Sequence, residues 1–150
     1  MSDPAATPQL GIIRAELWEP HAAELKHVFL AGNLQHPVPH PFFRRKDVEV
    51  IICQYGQGDH GLPHWHRDVD EVEFIISGRL SYRNIADGTL VDFKAGDLLT
   101  IPRGCCVERR VDGPARTLAI KLPSLAEKVH CADCTRTCSS RREAYKGAAP

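Results

Sequence analysis

Apolar and polar residues alternate in short runs through the middle of the chain. Glycine-containing stretches such as "ADG", "KAGD" and "VDGP" separate the runs. Apolar residues with a period of two are typical of strands that bury one face. The runs are "VEVIICQY", "EVEFIIS", "RLSYRNI", "TLVDFK", "LLTI", "CVERRV" and "RTLAIKL". The pattern predicts an all-β fold of short strands, in the form of a sandwich or a barrel.

The segments on either side of these runs have a different character. In "EPHAAELKHVFL", Leu25, Val28 and Phe29 would share one face of a helix, and prolines keep the following "AGNLQHPVPHPFF" out of regular structure. After Pro123 the chain is polar, contains several cysteines and has few core residues. We expect an N-terminal lead-in that packs on the barrel (1–47), the barrel itself (48–122) and a cysteine-containing tail (123–150).

Composition limits the class of partner. A chain of 150 residues fits one domain that can bury a core without disulfides or metal. The 19 Lys and Arg residues balance 19 Asp and Glu residues, so no basic field favours nucleic acid or a membrane surface. The start "MSDPAATPQLG" lacks the features of a secretion signal, and no apolar run approaches the length of a bilayer span. We expect a cytoplasmic protein whose partner is a small molecule.

Two histidines one residue apart stand out in "LPHWHRDVDEVEF". On a strand, His64 and His66 point to the same face, and the next strand can add Glu71 to the same ion. Two neutral imidazoles and a carboxylate suit non-haem Fe(II), and Mn, Ni, Cu or Zn also bind such a set. The alternative is that both histidines are exposed turn residues flanked by Arg67 and Asp68.

The spacing around these residues resembles the first motif of the cupin superfamily. The residues that match it are Gly58, His64, His66, Glu71 and Gly78. After a gap of 17 residues, Gly96, Pro102 and Gly104 resemble the start of the second cupin motif. Val107 occupies the position at which that motif ends in a histidine.

The resemblance implies a double-stranded β-helix, which is a jelly-roll barrel, with one divalent metal held by the two histidines and Glu71. It implies a mononuclear metal-dependent oxygenase, with an Fe(II) dioxygenase favoured, that uses O2 and a small carboxylate-bearing substrate that can be aromatic. Metal-dependent isomerases, lyases and non-catalytic binding modules share the fold and stay open as alternatives. Because cupins commonly pair through strands, we expect a homodimer.

Strand parity adds two candidate catalytic residues. Glu73 lies two residues after Glu71, and Arg109 lies two residues after Val107, so both should point into the barrel while Cys106 faces away. Glu73 would act as a general base or an extra ligand, or else would pair with a buried arginine. Arg109 would bind a substrate carboxylate through its planar guanidinium, or else would be a surface residue.

The six cysteines are expected to stay thiols or to bind metal, because no secretion signal is present. In "HCADCTRTC", Cys131 and Cys134 form a C-x-x-C pair, and Cys138 is a third thiolate for Zn or Fe. The segment partly resembles the cysteine knuckle that follows the barrel in some ring-cleaving cupin dioxygenases. Free thiols are the alternative to a structural metal here.

Overall fold

Two β-sheets pack face to face around the core. The structure, a computed structural model, describes residues 9–131. Within that range it has one helix, α1 (Ala15–Leu25), and the strands β1 (His27–Gly32), β2 (Phe43–Arg44), β3 (Glu49–Tyr55), β4 (His60–Trp65), β5 (Asp70–Ser77), β6 (Arg79–Asn84), β7 (Leu90–Lys94), β8 (Leu98–Ile101), β9 (Val107–Val111), β10 (Ala115–Leu122) and β11 (Val129–His130).

The strand order is that of an antiparallel jelly roll. One sheet has the order β2-β1-β3-β10-β5-β8 and the other has the order β11-β4-β9-β6-β7. All neighbouring strands pair antiparallel except β1 and β2, which are parallel. The predicted all-β barrel with a short N-terminal helix is confirmed.

Side chains from the inner faces of both sheets form the main core. Ile75 from the first sheet and Leu80 from the second have 0% and 1% of their surface exposed. They pack in one cluster with Ile51, Ile101 and Val111. Full burial of an aliphatic side chain of this size stabilises the fold by about 1.5–3 kcal/mol. The apolar strands therefore hold the barrel together without help from an ion.

The N-terminal segment departs from its predicted helical pattern. Helix α1 ends at Leu25, and Lys26 takes a positive φ of 60°. Val28 and Phe29 belong to β1, and Val28 pairs with Ile52 of β3. The prediction that Leu25, Val28 and Phe29 share one helical face is wrong. Consecutive strand residues point to opposite faces of the sheet. Val28 therefore packs on the side of the helix, and Phe29 packs on the barrel core.

The two sheets include strands from outside residues 48–122. β1 and β2 come from the N-terminal segment, and β11 pairs with β4 through Val129 and His130. The chain after β10 therefore returns to the edge of the five-stranded sheet, beside the candidate histidines. In the range 9–131, no helix is long and apolar enough to span a membrane.

Gly78 fixes the turn between β5 and β6. Its φ is 82°, and a Cβ at this position would lie 2.2 Å from the carbonyl oxygen of Pro114. Both the left-handed backbone and the close approach exclude a side chain there. This tight turn carries the chain from β5 of one sheet to β6 of the other.

Candidate metal centre

His64 and His66 lie at the end of β4, where the strand leaves the five-stranded sheet. His64 is in the strand, and His66 follows directly after its last residue, Trp65. The two imidazole rings are 5.5 Å apart between centroids and nearly perpendicular, at 83°. Trp65 points to the opposite side and packs against Cys106 and Cys131. The predicted alternation is thus present, and both imidazoles lie close enough to serve one ion.

Backbone carbonyl groups hold the Nδ1 atoms of both rings. His64 Nδ1 donates to the carbonyl oxygen of Leu62 at 2.9 Å, and His66 Nδ1 donates to the carbonyl oxygen of Glu127. A neutral imidazole that donates from Nδ1 carries its lone pair on Nε2. Histidines that bind metal are usually oriented by such a hydrogen bond from their other nitrogen.

His66 Nε2 faces the carboxylate of Glu71 across a short gap. The nitrogen is buried with no hydrogen-bond partner, and it lies 3.6 Å from Glu71 Oε2. Leaving a buried polar atom unpaired is costly, so an atom of this kind needs an explanation. A neutral imidazole and a carboxylate facing each other across a gap are suited to a divalent cation. The donor chemistry of His64, His66 and Glu71 therefore fits a metal.

The three predicted ligands do not yet form a closed cluster. No group of three His, Cys, Asp or Glu side chains in the described part of the chain converges tightly enough to hold an ion as placed. His66 and Glu71 meet directly, whereas His64 stands beside His66. Metal binding at all three would need a small adjustment of the side chains.

Burial keeps both imidazoles neutral. It lowers the pKa of His64 to about 3, against the opposing effect of the Leu62 carbonyl, and Lys128 lowers the pKa further. It also lowers the pKa of His66, against the opposing effect of the Glu127 carbonyl. Burial raises the pKa of Glu71, while Lys121 and Lys128 act in the opposite direction. The nitrogen lone pairs of the two rings are therefore available near neutral pH.

Val107 packs beside His64. The two residues are paired in register on β9 and β4, and Val107 is 6% exposed within the main core cluster. Its neighbour Cys106 packs on the other face of the sheet, as strand parity predicts. An apolar wall therefore stands next to His64, at the position that the sequence marked as lacking a histidine.

Glu73 points into the barrel, but its partners are hydroxyl groups. Tyr82 Oη donates to one carboxylate oxygen at 2.5 Å and Thr117 Oγ1 donates to the other at 2.6 Å. The structure does not show the alternative in which a buried arginine pairs with Glu73. Burial raises the pKa of this carboxyl group, and the two hydroxyl groups oppose that rise.

Arg109 lies inside the barrel, so its interpretation as a surface residue is wrong. Its guanidinium carbon is 4.1 Å from the centre of the Tyr55 ring, and its Nε atom is buried without a hydrogen-bond partner. The pairing of β9 with β4 and β6 directs the residue inward on the same face as Val107. The aromatic ring and the enclosed position hold a cation ready for an anionic group.

Two cavities that share part of their walls surround these residues. The inner cavity has a volume of about 60 Å³ and is lined by His64, Glu71 and Arg109, among others. The outer cavity has a volume of about 390 Å³, and His66 is part of its wall. Lys121 and Lys128 line both. His64 and Glu71 thus face the inner cavity, and His66 faces the outer one.

Cys131 forms a disulfide with Cys106, where the sequence analysis expected a thiol or a metal ligand. The return of β11 to β4 brings the two cysteines together against Trp65, a long-range contact that the C-x-x-C spacing does not indicate. Cys134 and Cys138 lie outside the described residues, so their part in a tail metal site stays a prediction. Cys53 is buried, and burial raises its pKa to about 11.

Known proteins share this architecture. The family model of ethanolamine utilisation protein EutQ matches residues 54–127, just under half of the chain. The structure is similar to a protein with a double-stranded β-helix domain from Klebsiella pneumoniae subsp. pneumoniae, at 22% identity and a TM-score of 0.52, over 57% of this chain and 70% of that one. The fold is the double-stranded β-helix that the predicted cupin resemblance implies.

Other solved structures give the same picture of the fold. KdgF from Halomonas sp. is similar at 14% identity and a TM-score of 0.52, over 67% of this chain and 79% of that one. Procruciferin, an 11S globulin from Brassica napus, is similar at 20% identity and a TM-score of 0.51, over 56% of this chain and 22% of its own. A comparison with curated proteins finds no match. At these identities the likeness concerns the fold alone.

Three residues of this candidate site were not predicted from the sequence. Lys121 has the same strand parity as Ala119 and Thr117, so the alternation of β10 could have placed it inside. Glu127 and Lys128 lie in a polar segment after the barrel strands, where no periodic signal marks them. Their position depends on the return of the chain to β4.

Proposed function

We propose that this cupin is a mononuclear metal-dependent oxygenase, with an Fe(II) dioxygenase favoured, that acts on a small carboxylate-bearing substrate. His64, His66 and Glu71 would hold the metal, which supplies the Lewis-acid and redox chemistry that O2 reactions need. The observation that carries the proposal is the buried, unpartnered Nε2 of His66 facing the Glu71 carboxylate at 3.6 Å. The backbone carbonyl groups on both Nδ1 atoms support it.

Arg109 would bind a negatively charged group of the substrate, and Glu73 would accept a proton. Arg109 reaches the inner cavity and can bind a substrate carboxylate through its planar guanidinium. Both oxygens of Glu73 are already hydrogen-bonded, so it has no direct contact to offer a substrate. Tyr82 lines the inner cavity and donates to Glu73, so a proton from the substrate can pass through the Tyr82 hydroxyl to this carboxylate.

The second candidate is a cupin that binds a small molecule without reacting with it. Val107 fills the place of a fourth ligand, and the three candidate ligands do not converge as placed in the described residues. These observations favour a barrel in which the cavities alone bind the ligand. The two candidates differ in what happens once the ligand has bound, and turnover distinguishes them.

Oxygen uptake tests the proposed reaction. The Fe(II)-loaded full chain is mixed with catechols, aminophenols and thiols that carry a carboxylate, and O2 consumption is followed together with product formation. We expect uptake with at least one substrate, loss of uptake in His66→Ala, and little change in His60→Ala, which alters an exposed histidine of the same strand.

Other outcomes would change the assignment. Product formation without O2 consumption would replace the oxygenase with an isomerase or a lyase. Saturable ligand binding with no product, in protein that retains one metal per chain, would favour the non-catalytic cupin.

The predicted homodimer and the cytoplasmic location belong to the same proposal. Phe74 and Leu98 are register partners on β5 and β8, and they expose 40% and 64% of their surface on the outer face of the six-stranded sheet. Neighbouring exposed apolar side chains of this kind often mark an interface. Light scattering on the purified chain should give twice the mass of one chain, and a monomer at all concentrations would contradict the dimer.

A further inference from the structure

Lys121 and Lys128 meet at the junction of the two cavities. Lys121 points inward from β10 of the six-stranded sheet, and Lys128 directly precedes β11 of the five-stranded sheet. Both side chains line the inner and the outer cavity. The two lysines thus reach the shared wall of the cavities from opposite sheets.

Positive charge exceeds negative charge around the inner cavity. Arg109, Lys121 and Lys128 line it, and Glu71 is the single carboxylate among its lining residues within 9–131. Lys121 is partly balanced by Glu49, whose Oε1 lies 3.8 Å from its ammonium nitrogen. Neither Arg109 nor Lys128 forms an ion pair with any residue in the described range.

The ionisation of a neighbouring histidine reflects the same field. His27 lines the inner cavity, and its pKa is lowered to about 4 by burial, with Arg109, Lys128 and Lys121 each contributing in the same direction. Three cations that disfavour a fourth positive charge will favour an anion in the same space. The inner cavity therefore favours the binding of a negatively charged group.

The volumes of the two cavities limit the size and shape of the anion that can bind. A volume of about 60 Å³ is roughly twice the space that one water molecule occupies in the liquid, so the inner cavity holds a small group such as a carboxylate. The outer cavity, at about 390 Å³, falls within the usual range for small-molecule pockets. Part of its wall is apolar, formed by Phe29, Leu34 and Leu125.

We propose that Arg109 and Lys128 form a carboxylate-binding site, with the acid group in the inner cavity and the apolar body of the ligand in the outer one. The ligand class is an organic monocarboxylate: Lys128 is the residue that selects it over neutral analogues, and the apolar wall of the outer cavity favours it over inorganic anions. The inference rests on the proposed function in placing the ligand in that same site. It concerns binding alone, so it is tested in protein without metal.

The experiment measures ligand binding to the metal-free full chain by calorimetry at constant ionic strength. The probes are benzoate and hexanoate, the amide of each, and inorganic phosphate. We expect each acid to bind at least tenfold more tightly than its amide, and phosphate not to compete at equal concentration. Lys128→Met should weaken binding of the acids about tenfold and leave the amides unchanged.

The control replaces an exposed lysine that lies far from the cavities. Lys94→Met on β7 should bind both acids as the unaltered chain does. Because Lys128 is exposed, its substitution should leave the fold intact even if a change at the enclosed Arg109 does not. The binding data for Lys128→Met therefore test the carboxylate-binding site whether or not an Arg109 variant folds.

Several results would overturn the inference. Equal affinity for acid and amide, competition by phosphate at equal concentration, or no effect of Lys128→Met in a folded protein would each do so, as would no binding of either acid. Failure of the proposed function has a different signature, because His66→Ala removes a metal ligand while carboxylate binding to the metal-free protein is still measured.

Discussion

Replacing Glu127 should weaken both the fold and the metal centre. The Glu127 carboxylate accepts hydrogen bonds from the backbone N–H groups of Arg67 and Asp68, the second at 3.0 Å, while its carbonyl oxygen accepts from His66 Nδ1. Burial acts to raise the pKa of Glu127, but these N–H groups lower it below its usual value. One residue thus fixes the turn that carries His66, and fixes the His66 ring as well.

The size of the effect follows from the bonds that are lost. Glu127→Ala removes two charge-assisted hydrogen bonds near the protein surface, for which we expect a loss of about 1 kcal/mol in the free energy of unfolding. The carbonyl group stays in the chain, but its position is no longer fixed. Removing the support of a ligating histidine typically lowers metal affinity by about 10–100-fold. We expect a decrease in that range.

Urea unfolding of the metal-free protein measures the first effect, and competition with a chelator measures the second. Arg67→Ala is the matched control, because it keeps the backbone N–H that Glu127 binds. Arg67→Ala should change neither the free energy of unfolding nor the metal affinity by much. Unchanged unfolding free energy and unchanged metal affinity in Glu127→Ala would refute the assigned role of this residue.

The remaining predictions concern the barrel interior. Val107→His places an imidazole beside His64, so metal should dissociate more slowly while activity falls; a lower melting temperature with unchanged metal release would contradict this. Tyr82→Phe removes a donor from the buried Glu73 and should cost about 1–3 kcal/mol of unfolding free energy in a denaturant titration, whereas no loss would argue against the buried network. Acid should destabilise the metal-free fold. The pKa of His64 is about 3 in the fold and about 6.5 in the unfolded chain, which therefore takes up protons first as the pH falls. The contribution of His64 to stability should be full above pH 6.5 and decline from there towards pH 3, by at most about 1.4 kcal/mol per pH unit; a pH profile of unfolding that is the same in His64→Ala as in the unaltered chain would refute it.

The barrel strands could be predicted because their signals are local. The alternation in "EVEFIIS" and "RTLAIKL" fixes both the strands and the faces to which Glu73 and Thr117 point. The same parity placed Val107 and Arg109 inside and Cys106 outside, as the structure shows. The spacing of His64, His66 and Glu71 brought the candidate ligands to one region of the barrel.

The rest depends on contacts between distant parts of the chain. Val28 and Phe29 fit a helical spacing as well as a strand, and the pairing of β1 with β3 decides between them. Glu127 and Lys128 join the site, and Cys131 reaches Cys106, because β11 returns to β4, about 60 residues away along the chain. That short segment has no periodic pattern from which such a contact could be predicted.

Metal content tests the central claim, which is that His64, His66 and Glu71 hold a divalent ion. Freshly purified full-length chain should be analysed by elemental mass spectrometry, alongside His64→Ala, His66→Ala and the exposed-histidine control His60→Ala. A further variant with Cys134 and Cys138 changed to serine excludes the tail as the source. We expect one metal per chain in the unaltered protein, in the variant with Cys134 and Cys138 changed to serine and in His60→Ala, and loss of the metal in folded His64→Ala and His66→Ala. Full occupancy in both of these variants would contradict the account.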